Sequence, residues 1–120
     1  MKTKNSKIKL KDIHHGLILY IAHPVCGIEK CIVLSKPDKE NFVDVVNLYG
    51  EDEDYSDKWR VKRSLRDMGV VDHYNWRRTF RKRKQAESYV ERIKNDPPFK
   101  KYWQKHLKNC QEMEEMFATH

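Results

Sequence analysis

Four glycines stand in the 120 residues, at positions 16, 27, 50 and 69. None belongs to a glycine-rich loop. A phosphate-binding loop, a dinucleotide fingerprint and a nucleophile elbow all need glycine where backbone must turn sharply or approach a ligand. Those three enzyme classes are excluded. Cysteine is also scarce. Cys26, Cys31 and Cys110 are an odd number, which argues against a disulfide framework and for a reducing compartment. No apolar run approaches the ~18 residues of a membrane span. The N-terminus, MKTKNSKIKLKD, is polar and lysine-rich and holds no apolar signal-peptide core. The expectation is a soluble, cytoplasmic, non-catalytic protein.

What the chain does have is charge. Lys and Arg number 25 against 18 Asp and Glu, a formal net charge of +7. The distribution is blocky. Residues 1–12 carry +4, residues 38–57 carry −7 and residues 58–84 carry +9. Clustered charge steers an anionic partner more strongly than the global figure suggests.

The pattern predicts a flexible basic arm over 1–12, a sheet domain with a covering helix over 13–95, and an amphipathic helix over 96–120. GLILYIA (16–22) is apolar on both faces: Leu17, Leu19 and Ile21 on one, Ile18 and Tyr20 on the other. KCIVLS (30–35) and FVDVVNLY (42–49) read as further strands, separated by turns at HPVCG and KPDKEN. KWRVKRSLR (58–66) alternates, with Trp59, Val61 and Leu65 inward and Lys58, Arg60, Lys62, Ser64 and Arg66 outward. WRRTF (76–80) reads as a fifth strand. Short strands at this spacing predict an α+β fold: a small bent antiparallel sheet, or a barrel of the Src-homology-3 type, followed by two helices. Ala86, Tyr89, Val90 and Ile93 form one helical stripe. NDPP ends that helix and places Asp96 as the N-cap of the next. There Phe99, Trp103, His106, Cys110, Met113 and Phe117 form a seam with spacings 4, 3, 4, 3 and 4.

Three constellations carry chemistry. The first is basic: Lys58, Arg60, Lys62 and Arg66, then Arg77, Arg78, Arg81, Lys82, Arg83 and Lys84, with Tyr74 and Trp76 among them. Cations beside flat rings suit nucleic acid, where charge tracks phosphates and rings stack on bases. The bland alternative is a solvated strand face with its tryptophans in the core. Arg81–Lys84 fall near the start of the first helix. Cations there oppose the macrodipole at roughly 0.3–1 kcal/mol each, a cost that a bound anion reverses. The second constellation is His15, His23, Cys26 and Cys31. It has one knuckle-like spacing but lacks the second close pair of a zinc site, so no metal or other cofactor is expected. The third is the far seam, where Cys110, Met113 and Phe117 are expected to meet a second copy or a target. The acidic stretch GEDEDYSD (50–57) lacks the internal glycine and distal glutamate of a calcium loop. It reads instead as a repelling wall, or as a counter-charge to the basic face.

YSDKWRVKRSLRDMGVVDHYN and RTFRKRKQAESYV, taken together, resemble the small accessory, host-takeover type proteins of tailed bacteriophages: short, lysine-rich and charge-segregated, with a strand leading into an A-x-x-Y-V helix. The likeness covers about residues 13–95. It implies residence in the host cytoplasm and a role in binding and blocking a host machine. Two functions are therefore weighed: a basic module that contacts nucleic acid, and an inhibitor or adaptor that binds a host defence or nucleic-acid-handling protein. The partner is expected to be nucleic acid or an acidic protein surface, with a homodimer through the last helix and no membrane.

Overall fold

The computed structural model describes residues 8–48, 60–71 and 75–118, with side chains through Glu114. Five antiparallel strands lead into two helices: β1 (Ile18–His23), β2 (Gly27–Val33), β3 (Phe42–Leu48), β4 (Val61–Ser64), β5 (Arg78–Phe80), α1 (Arg83–Lys94) and α2 (Pro97–Ala118). The sheet order is β4-β3-β2-β1-β5. The fold is α+β as expected, but the barrel alternative is corrected: the two outer strands, of four and three residues, do not pair and the sheet stays open. A barrel hides one face inside itself. Here each face is covered by other chain instead.

Register fixes the two faces, because residues opposite each other share a side. Leu19 pairs with Cys31, and Val33 with Val45. These side chains form the larger core with Val43, Leu65, Met68, Ile8 and Ile13. Among the described residues no α-helix covers this face. It is closed by the N-terminal segment, which turns through a short 3-10 stretch at Leu10–Asp12, and by the turn from Leu65 to Val71. Ile8 and Ile13 are buried, so the chain is docked from within the stretch expected as a free arm; residues 1–7 lie outside the described residues. The opposite face carries Tyr20, Ala22, Ile28 and Phe80 under the α1 stripe of Ala86, Tyr89, Val90 and Ile93. The double-faced pattern of 16–22 is therefore met by cover on both sides from Leu19 onward, while Ile18, expected on the second face with Tyr20, stays exposed.

The alternation of 58–66 holds only to Ser64. Val61 and Arg63 lie opposite Val45 and Val43 on the larger core's side, while Lys62 lies opposite Asp44 on the other. Leu65 and Met68, both fully buried, then fold over the sheet as a turn. Lys58 and Trp59, with the acidic stretch 50–57, lie outside the described residues. The fifth strand starts at Arg78 and not at Trp76.

Gly69 lets the turn close. Its φ is +80°, and a Cβ there would fall on the Arg77 carbonyl. Thr79 Oγ1 donates to the Met68 carbonyl, tying the same turn to β5. Gly16 also has positive φ (+92°), but an added Cβ meets nothing within 4 Å. Gly69→Ala is expected to cost well over ~2 kcal/mol, combining left-handed backbone with a backbone clash, whereas Gly16→Ala costs about 1–2 kcal/mol for backbone alone. Urea unfolding of the two variants checks this. Equal midpoints would show that the close approach is not limiting.

Candidate nucleic-acid interface

The basic residues divide into three groups. The first is neutralised on the outer side of β4. Arg60 Nε lies 3.4 Å from Asp44, and Lys62 Nζ lies 3.8 Å from Asp38. Asp38 caps its own turn, accepting from the Phe42 and Glu40 N–H groups at 2.9 and 2.8 Å. The Phe42 N–H chiefly, then the Glu40 N–H and the Lys62 ammonium, hold its carboxyl below the usual range. Exposed pairs of this kind contribute about 0–1 kcal/mol each, yet they occupy the charge expected for phosphates. Arg66 lies exposed on the following turn.

The second group serves the fold. Arg63, with a side chain only 14% exposed, bridges Glu29 at 3.0 Å and Asp67 at 3.4 Å. Arg77 reaches the other oxygen of Asp67 at 3.5 Å. Arg78 donates to the Asn75 and Arg77 carbonyls. Trp76, expected beside bases, packs its ring edge against Phe99 at 5.2 Å and near Tyr102 at 5.7 Å. Its carbonyl accepts from the Tyr89 hydroxyl at 2.7 Å. These are packing roles. Tyr74 lies outside the described residues, as does the side chain of Phe117.

The third group is the start of α1. Arg81 precedes it, Lys82 is the N-cap, and Arg83 and Lys84 are its first residues. All four are exposed. Lys82 makes no side-chain cap, and no acidic residue stands in the first turn. The run therefore straddles the helix boundary. Two neighbours emerge that sequence distance hides. Arg81 pairs with Asp12 at 3.2 Å, which sets the exposed Lys9–Lys11 turn beside the helix start. Arg83 lies 5.7 Å over the Tyr20 ring, and Tyr20 pairs across the sheet with Lys30. The lysine-rich N-terminus and the alternation of 16–22 were the only signals for these additions, and neither specifies the juxtaposition.

The histidine and cysteine positions are used differently. Cys31 sits in the larger core, where burial pushes its thiol up to about 11. A thiol held neutral is a poor metal ligand. His23 Nδ1 accepts from the Val25 and Cys26 N–H groups, both at 3.1 Å, and so closes the β1–β2 turn. Its ring meets Phe99 at 6.1 Å and Trp103 at 5.8 Å, which docks α2. Among the described residues no three His, Cys, Asp or Glu side chains are placed to hold a metal ion.

His23 generates a pH prediction. Burial first, and then the Arg77 charge, lower its pKa in the folded state. The unfolded chain therefore takes the proton first. Stability is full above the ordinary histidine value of about 6.5 and is lost progressively as pH falls from there through the lowered folded value. The melting temperature of wild type is expected to drop between about pH 7.5 and pH 5. His23→Asn, which keeps an acceptor for the turn but cannot titrate, should show a smaller drop. Parallel pH profiles would assign the acid sensitivity elsewhere.

No helix among the described residues is long and apolar enough to cross a membrane. No curated protein and no solved structure matches the chain. A family model described as phage g100-like protein matches residues 7–93. That span begins one residue before Ile8, takes in every strand and stops one residue short of the end of α1, leaving α2 outside. It agrees with the likeness to small phage proteins carried by residues 55–75 and 78–90, and by this match the chain belongs to the phage g100-like protein family.

Proposed function

We propose that this protein is a non-catalytic module that holds the phosphate backbone of a nucleic acid at the start of α1. The observation that carries the reading is convergence. Lys82, Arg83 and Lys84 stand exposed at a helix N-terminus that has no side-chain cap and no acidic residue in its first turn, and Arg81 beside them is paired with Asp12, which joins the N-terminal turn carrying Lys9 and Lys11 to this end of the helix. In isolation this arrangement is unfavourable, because cations oppose the positive end of the helix dipole. A phosphate reverses the balance, since unpaired N–H groups and ammonium or guanidinium groups all favour it. The β4 face is a weaker candidate, because Asp38 and Asp44 already occupy Lys62 and Arg60.

The test compares two charge reversals of the full chain. Lys82→Glu/Arg83→Glu/Lys84→Glu should abolish binding to duplex and single-stranded oligonucleotides, while Arg60→Glu/Lys62→Glu should weaken it far less. For wild type on duplex DNA, affinity should fall with salt at a log–log slope of about −0.9 per phosphate neutralised, or about −2.7 for the Lys82, Arg83 and Lys84 trio alone. A flat salt response, or equal effects of the two reversals, would remove the reading. Recovery of one stoichiometric protein that survives nuclease treatment, together with a flat salt response, would instead support an inhibitor or adaptor.

A further inference from the structure

Beyond Trp103, α2 runs exposed from Gln104 to Glu114, and this stretch carries a side-chain pair with ligand chemistry. His106 Nε2 lies 3.7 Å from Cys110 Sγ, one turn apart on one side of the helix. Both residues are exposed, and Cys110 is a free cysteine. The imidazole is held from the preceding turn. The Tyr102 ring stacks on it at 6.2 Å with 9° between the planes, and the Trp103 ring lies at 5.0 Å. Its nitrogen is therefore aimed at the thiol before any ligand arrives, which lowers the cost of bringing both donors to one ion.

The separation has the right size for an ion between the two atoms. With bonds of about 2.0–2.1 Å from a first-row ion to imidazole nitrogen and about 2.3 Å to thiolate sulfur, a nitrogen–sulfur distance of 3.7 Å subtends roughly 115° at the ion. That angle lies between tetrahedral and trigonal. Met113 adds a third donor. It follows His106 by seven residues and Cys110 by three, so it shares their stripe, and it is 56% exposed.

Donor type selects the ion. Imidazole suits many divalent metals, but thiolate and thioether are soft and favour monovalent copper. Zinc fits poorly. A structural zinc site takes four nitrogen, sulfur or carboxylate ligands, and among the described residues no third His, Cys, Asp or Glu side chain is placed to extend the pair. The other cysteines offer no comparable pair. Cys31 is buried in the larger core, and the histidine nearest Cys26 in sequence, His23, spends Nδ1 on the β1–β2 turn.

We propose that His106, Cys110 and Met113 form a binding site for monovalent copper on the exposed half of α2. Nε2 of neutral His106 and the Cys110 thiolate are the two strong ligands, and the Met113 thioether is a weaker third. Binding releases the thiol proton to solvent and changes no oxidation state.

The test uses the full chain, reduced and anaerobic, with Cu(I) supplied as its bicinchoninate complex. Transfer to the protein, read from loss of the coloured complex, should stop at one ion per chain. X-ray absorption at the copper edge should show both nitrogen and sulfur neighbours. Cys110→Ser should abolish transfer, whereas Cys26→Ser should leave it unchanged. His106→Phe, which keeps the ring but removes the donor, should weaken binding at least about tenfold. Met113→Leu should weaken it about threefold, as befits a long thioether bond. The α2 side chains are exposed, so none of their variants should change the circular dichroism. Affinity unaltered by His106→Phe or by Met113→Leu reduces the site to a bare thiol and overturns the proposal. So does copper retained by Cys110→Ser, copper lost in Cys26→Ser, or an absorption edge without nitrogen.

Discussion

The turn from Leu65 to Val71 holds the sheet together, and the rest of the structure depends on how closely it lies on the strands. A five-stranded sheet with apolar side chains on both faces needs cover on both. Among the described residues, α1 covers one of them. The other face is closed by irregular backbone, which must bring Leu65 and Met68 over Leu19, Val33 and Val45. Two devices make that approach feasible. Gly69 lacks the Cβ that would fall on the Arg77 carbonyl. Asp67 is held between Arg63 and Arg77, so the turn is clamped to β4 on one side and to the segment leading into β5 on the other.

That clamp also decides where free charge is left. Arg63 is mostly buried and donates to two carboxylates; taking one away would leave a largely desolvated cation with half its partners, a larger cost than loss of a surface pair. Arg77, Arg78 and Trp76 are drawn into the same junction as packing and hydrogen-bonding groups. Arg60 and Lys62 are matched by the acidic residues of β3 and the turn before it. A block that carries +9 in sequence thus presents much less than that to solvent as unmatched charge. Of that block, Lys82, Arg83 and Lys84 stand exposed at the start of α1, where no acidic residue lies in the first turn.

The strands were legible because their patterns are local. Leu19 to Ala22 is apolar on both sides and is covered on both sides, and the stripe Ala86, Tyr89, Val90 and Ile93 covers the face its spacing implies. The turn was not legible. The alternation Trp59, Val61, Arg63, Leu65 continues one residue past the point where β4 stops, and nothing in period two distinguishes a buried strand residue from a buried turn residue. Ile8 and Ile13 lie in a lysine-rich stretch whose composition resembles a free arm, yet each fills the larger core. The candidate site shared this limit. Its cationic run is visible in the sequence, whereas the contribution of Lys9 and Lys11 depends on one ion pair between residues 12 and 81. Pairings at that separation follow from topology, not from composition.

α2 stands apart from the sheet over most of its length: it packs on the body through Phe99 and Trp103, and from Gln104 to Glu114 it is exposed. His23 is the joint between α2 and the body, since its ring nitrogen closes the β1–β2 turn and its ring seats Phe99 and Trp103.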